Sequence, residues 1–241
     1  MKNTLLVAAS AAALMIASPA LARLQLSIGV GASTFTCFDG QLSCDQSGGA
    51  NNLLTIDQTI GGAFVEITLA QSTFGKPDSL QLSSSNIENL TGAPITISLL
   101  ASDTGFVPPV TFIKSSASLT FNDAVGSGLS TLQFWADHAD VQGANPSNTP
   151  GTLLETVSGT PVTNPDSFSG SRTTSFIAGL PFSMTEGARL NLIGGGSITG
   201  FNQAMTTGVP EPGQWAMLIT GFAMMAAIGW RKARLPRLLS I

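Results

Sequence analysis

Apolar and polar positions alternate with a period of two in many short runs of this chain. In AFVEITLA, Ala63, Val65, Ile67 and Leu69 point one way while Glu66 and Thr68 point the other. PITISLLA repeats the pattern with Ile95, Ile97 and Leu99, and SASLTFND repeats it with Ala117, Leu119 and Phe121. An extended backbone sends successive side chains to opposite faces, so each run is predicted to be a strand with one buried face. Further strands are expected over 24–30, 79–83, 129–135, 152–157, 173–178, 189–193 and 197–201. The stretches between them carry turn chemistry: GKPDS, LTGAP, GFVPP, VGSG, GANPSNTPG and GGG. About ten short strands with little helical periodicity between them predict an all-β body, an antiparallel β-sandwich of jelly-roll-like type. The Pro-, Asn- and Ser-bearing stretch 140–171 is expected to form a long, partly mobile crossover.

The two ends break this pattern. MKNTLLVAASAAALMIASPALA opens on Lys2, runs apolar over 5–17 and closes on Ala20-Leu21-Ala22. A charged start, a short apolar middle and small residues at the cut site describe a secretory signal peptide over 1–22, a helix cleaved by signal peptidase between Ala22 and Arg23. At the other end, VPEPGQWAMLITGFAMMAAIGWRKAR holds an apolar run bounded by Trp215 and Trp230 and stopped by Arg231, Lys232, Arg234 and Arg237. As a helix, 215–230 is about 24 Å long against a hydrocarbon core of ~30 Å, a minimal single transmembrane span. Tryptophans at both ends suit the two interfaces, and the basic cluster keeps the tail cytoplasmic. Three segments follow: signal peptide 1–22, exported body 23–208, and C-terminal signal 209–237 with a basic tail at 231–237.

Charge sharpens this division. Between Arg23 and Gly208 only five basic residues stand against thirteen of the chain's fourteen acidic ones. Phosphate backbones would repel such a body, so nucleic acid is not an expected partner. The two cysteines, Cys37 and Cys44, would meet an oxidising compartment and are expected to form a disulfide. Asp39 and Asp45 beside them do not make up a metal-ligand set, and no metal or other cofactor is expected. The single histidine, His138, lies between Asp137 and Asp140, but neighbours in one short segment rarely supply a convergent triad, and no activated-serine motif accompanies them. The Gly-rich LIGGGSITG lacks the third glycine of a dinucleotide loop and reads as a tight connection between strands. Asn89-Leu90-Thr91 matches a glycosylation sequon by accident if the export signals are bacterial. Thr68, Thr96 and Thr120 face outward without a fixed repeat, and Trp135 is the only tryptophan of the body, its facing not set by the alternation.

Pro210, Glu211 and Pro212, two free positions, then Trp215, Ala216 and Met217 form a spaced motif ahead of the apolar run and its basic stop. This C-terminus resembles the PEP-CTERM sorting signal of Gram-negative bacteria in its PEPxxWAM form, with the motif at 210–217. The basic tail departs from the family's compact arginine run, being interrupted by Ala233, Leu235 and Pro236. The resemblance implies recognition by exosortase, a membrane-embedded protease-like enzyme acting near the Pro-Glu-Pro, and association with exopolysaccharide and biofilm. The same tail also carries the name ice-binding-protein C-terminal domain, which by itself implies no ice binding. In the body, LTGAPITISLLASDTGF and PFSMTEGARLNLIGGGSITGF resemble segments of such substrates.

The expected product is a non-enzymatic protein exported through the inner membrane, held there transiently, then released to the cell surface or extracellular matrix. Alternatives are a carbohydrate-binding module for the matrix polysaccharide, a permanently anchored single-pass surface protein, and a secreted hydrolase using Asp137, His138 and Asp140.

Overall fold

A computed structural model describes residues 23–48, 51–75, 77–143, 149–209, 220, 222 and 224. Among the described residues twelve strands are formed: β1 (Gln25–Val30), β2 (Ser33–Phe38), β3 (Leu53–Ile60), β4 (Ala63–Thr73), β5 (Ser79–Asn89), β6 (Ile95–Phe106), β7 (Val110–Asn122), β8 (Ser130–Asp137), β9 (Thr152–Gly159), β10 (Asp166–Ala178), β11 (Phe182–Leu192) and β12 (Ser197–Gly208). They build two six-stranded antiparallel sheets, in the orders β2-β1-β6-β11-β8-β9 and β10-β7-β12-β5-β4-β3. The body is therefore an antiparallel β-sandwich. Inner-face residues Leu26, Ile28, Leu99, Phe134 and Leu190 of the first sheet pack with Val65, Leu82, Leu119, Phe121 and Ile198 of the second in one buried cluster.

Three details differ from the sequence pattern. Strands β2 and β3 were not anticipated. β2 (STFTCF) is an edge strand with mostly exposed positions, so it lacks the buried alternation that marks a strand. The stretch 140–171 is not one long crossover, because β9 and the start of β10 lie inside it. Finally, Leu69 does not share the inward row of Ala63, Val65 and Ile67. The register of β4 on β5 shifts at Glu66/Ile67 and again at Ile67/Leu69, after which Ala70 and Ser72 are the buried positions. An inserted residue reverses the alternation beyond it.

Both chain ends of the body emerge at the same end of the sandwich. Gln25 at the start of β1 pairs with Ser102 near the end of β6, and Gly208 at the end of β12 pairs with Phe112 near the start of β7. This exit end also carries the 39–52 loop, the β4–β5, β6–β7 and β10–β11 turns and the start of the β8–β9 connection. The far end carries the remaining turns. Among the described residues no helix is long and apolar enough to cross a membrane. The expected signal helix 1–22 lies outside the described residues. So does the expected 215–230 span, except for Thr220, Phe222 and Met224, which are helical in conformation.

Candidate functional site

Pro210, Glu211, Pro212, Trp215, Ala216 and Met217 lie outside the described residues, as do the cleavage residues Ala20 and Ala22 and the basic residues Arg231, Lys232, Arg234 and Arg237. The structure does describe the platform from which the C-terminal segment leaves. Val209, its last residue, lines a shallow pocket of about 270 Å³ with Pro77, Asp78, Val107, Pro109 and Thr207.

Aspartates hold the loops of this end. Asp78 accepts from the main-chain amides of Gly75 (2.7 Å) and Val107 (3.0 Å), and its own amide donates to Thr207 Oγ1 (2.9 Å). That one residue ties two turns to the exit strand β12. Asp45 accepts from Gly40 and Ser47 at 2.9 Å each, and Asp39 accepts from Asn52 at 2.8 Å. Although burial works against it, these amide donors hold the Asp45 carboxyl below its usual range. The same loop is closed by the Cys37–Cys44 disulfide, with the two Cα atoms 6.0 Å apart.

The Asp137-His138-Asp140 group is put to structural use. Asp137 accepts from Ala139 (3.1 Å) and Val141 (3.3 Å), and Asp140 accepts from Gly105 (2.8 Å). His138 stacks on Phe176 with ring centroids 4.2 Å apart. Phe176 continues through Phe182 and Phe106 to Phe74, a row of rings that closes the exit end of the core. The imidazole and the two carboxylates each have separate partners, so they do not converge on a common point. Among the described residues, no group of three or more His, Cys, Asp or Glu side chains could hold a metal ion.

Trp135 faces outward. It sits between the inward residues Phe134 and Ala136 on β8 and lies across Gly187 of β11. A Cβ on Gly187 would stand 2.8 Å from Trp135 Cζ3 and 3.5 Å from Leu100 Cδ1. Leu100 is fully buried although it belongs to the outer face, outside the main core cluster. Indole, glycine and leucine thus form a small apolar patch on the outside of the first sheet. Beside it, residues 140–143 fold onto the same face. Gln142 Nε2 donates to Arg23 O (2.6 Å) and Ser102 O (2.8 Å), while the Gly143 amide donates to Ser102 Oγ (2.8 Å).

The outer face of the second sheet is different in kind. A broad depression of about 420 Å³ is floored by Ser116, Ser118, Ser169, Ser171 and Asn202. The cross-strand pairs Ser169–Ser118 and Ser171–Ser116 set these hydroxyls side by side. Among the described residues, neither aromatic rings nor charged groups line it.

Polar groups also stand inside the sandwich, where the period-two pattern did not lead one to look. Glu186 of β11 is fully buried, and among the described residues neither carboxylate oxygen has a hydrogen-bond partner. Burial pushes its carboxyl well above the usual carboxylate range, and the nearby Met205 backbone opposes only part of this. Opposite, Gln203 Nε2 donates to the carbonyls of Gln133 and Gly187 in the other sheet, at 3.3 Å each. Ser115 donates to Glu155 and Ser72 to Asp103, again from one sheet to the other. Asn89 of the sequon is fully buried, its amide donating to Ala93 O and Ile193 O at 2.8 Å each. It pins the Gly-rich connection, where a Cβ on Gly194 would stand 2.5 Å from the Gly92 carbonyl carbon.

No family model matches the chain, and no curated protein matches it. Among solved structures it is similar to the isomalto-dextranase of Arthrobacter globiformis T6 complexed with panose, at 15% identity and a TM-score of 0.24. That match covers 64% of this chain and 23% of the enzyme, so the chain spans less than a quarter of that protein's length.

Proposed function

We propose that this chain is a non-enzymatic exported protein, sorted through its C-terminus by an exosortase-type protease and delivered to the cell surface or extracellular matrix with exopolysaccharide. The observation that carries this reading is the order of parts along the chain. The last strand ends at Gly208, and Pro210-Glu211-Pro212 follows almost at once, ahead of Trp215-Ala216-Met217, the apolar run and the basic stop. Two prolines around Glu211 would favour an extended, stiff peptide, a form suited to a protease cleft. The apolar run would hold the chain in the inner membrane until the motif is cut. In this reading the path of the chain, which changes sheets seven times between β1 and β12, is jelly-roll-like. An epitope tag in the body, compared with a variant carrying alanine at Pro210, Glu211 and Pro212, tests it. The variant should keep its full size and remain in the membrane fraction. Identical size and location of the two proteins would count against sorting.

A second reading is favoured by the outward Trp135: a carbohydrate-binding face for the producer's own polysaccharide. An indole supported from beneath by Gly187 and Leu100 is held at a fixed height above the sheet, as ring stacking on a sugar requires. Retention of the protein on purified matrix, lost in Trp135→Ala, is the expected result; no retention of the unaltered protein would end this reading.

A further inference from the structure

Only five residues, 210–214, separate Val209 from Trp215. At ~3.3–3.6 Å per residue, the six steps from Val209 to Trp215 span at most about 22 Å. Strands of 11 to 13 residues such as β4, β7 and β10 make the sandwich roughly 40 Å long. If 215–230 enters the bilayer, part of that reach is taken up by the polar interface of that leaflet, roughly 5–8 Å thick. The exit end is then tethered within about 15 Å of the headgroups, and in the upright body the far end stands roughly 40 Å farther off.

The exit end carries apolar side chains across its whole width. Leu42 is exposed in the disulfide loop, Phe74 and Val107 project from the middle turns, and Ile177 and Leu180 lie at the β10–β11 turn. Val107 and Leu180 are 52% and 73% exposed, so neither is needed by the core. The loops that bear Leu42, Phe74 and Val107 are held by Asp45, Asp78 and Asp140, which accept main-chain amides. These three apolar tips are therefore presented on a firm base.

We propose that, before cleavage, this end of the sandwich rests on the lipid surface, with Val107, Leu180 and their apolar neighbours in the interfacial layer. This inference rests on the membrane entry of 215–230 set out under the sorting reading. It keeps the base of the body at the membrane in which the protease of that reading is embedded.

The test uses the full chain reconstituted with neutral phosphatidylcholine vesicles, its native disulfide intact. Leu180→Cys and Val107→Cys are labelled with an environment-sensitive dye, and Leu129→Cys and Leu90→Cys serve as far-end positions. All four sites are exposed in the native chain, so the substitutions do not disturb the core. Blue-shifted emission and quenching by lipid-borne quenchers are expected at 180 and 107 and not at 129 or 90. Equal signals at both ends, or water-like emission at 180 and 107 in protein that floats with the vesicles, would overturn the proposal while leaving membrane entry standing. Failure to float with the vesicles would instead remove membrane entry, and the docking with it. Because aspartates dominate this end, added anionic lipid should weaken the quenching; a stronger signal would overturn the assignment of this face.

Discussion

Ser72 of β4 donates its hydroxyl to Oδ2 of Asp103 of β6, joining the two sheets through a fully buried carboxylate. Thr104 N donates to the other oxygen at 2.8 Å. Burial pushes the Asp103 carboxyl up to about 6, against those two hydrogen bonds, with smaller upward contributions from Asp39 and Asp140. A folded-state value above the unfolded one means that the native state holds its proton longer, so this group's contribution to stability falls as pH rises from about 4 through about 6. The size is on the order of 2–3 kcal/mol. Asp103→Asn keeps an acceptor for Thr104 and cannot ionise. Urea unfolding between pH 4 and pH 7 should show the variant gaining stability relative to the unaltered protein across that window. A constant difference between the two would contradict the assignment.

Trp135 and Gly187 form a second coupled pair. A methyl on Gly187 would meet the indole at 2.8 Å and 3.2 Å, closer than side-chain carbons approach, so the ring must move. Gly187→Ala should cost about 1–3 kcal/mol, as overpacking does. It should also shift the emission of Trp135, read in a chain ending at Gly208, where it is the only tryptophan. In the double variant with Trp135→Ala most of the Gly187→Ala cost should vanish, since the two act on one contact. Additive costs would show that the ring does not rest on Gly187.

These pairs also mark how far the sequence could be read. The strands whose inner faces alternate cleanly, such as β8 and most of β7, were legible because period-two burial is written into them. Strand β2 was not, since an edge strand needs few buried residues. The bulges of β4 were invisible, because they move Leu69 out and Ser72 in without changing the composition of the run. Glu186 illustrates the same limit from the core side. In SMTEGARL its register places it inward on β11 between Met184 and Ala188, a site that composition would never assign to an acid. The aspartates of the exit end were visible as residues but not as loop clamps, because their partners are amides brought close by the fold.

The Cys37–Cys44 bridge closes a loop whose Asp39 and Asp45 are both engaged with main-chain amides. In the chain-entropy picture a loop of about eight residues is stabilised by roughly 2.5 kcal/mol through its crosslink. The double variant Cys37→Ser and Cys44→Ser should therefore unfold at lower temperature by several degrees, and reductant should lower the unaltered protein to the same value. A reductant-insensitive melting temperature would show the crosslink to be dispensable.

Glu186 supplies the most demanding prediction, since among the described residues neither of its buried oxygens has a partner, and the Oε1 of Gln203 opposite has none either. Raised well above its usual range by burial, the group stays protonated in the folded chain after it has ionised in the unfolded one. The unfolded state then binds fewer protons, so stability drops as pH rises from about 4.3 towards the folded value. Glu186→Gln removes this dependence while preserving shape. It should be nearly neutral at pH 4 and increasingly stabilising at pH 6 and pH 8, by up to about 1.4 kcal/mol per pH unit while the proton difference lasts. Denaturant unfolding of both proteins at the three pH values measures it. A gain equal at all three would mean that Glu186 ionises in the core as readily as in water, which its buried and unpartnered oxygens argue against.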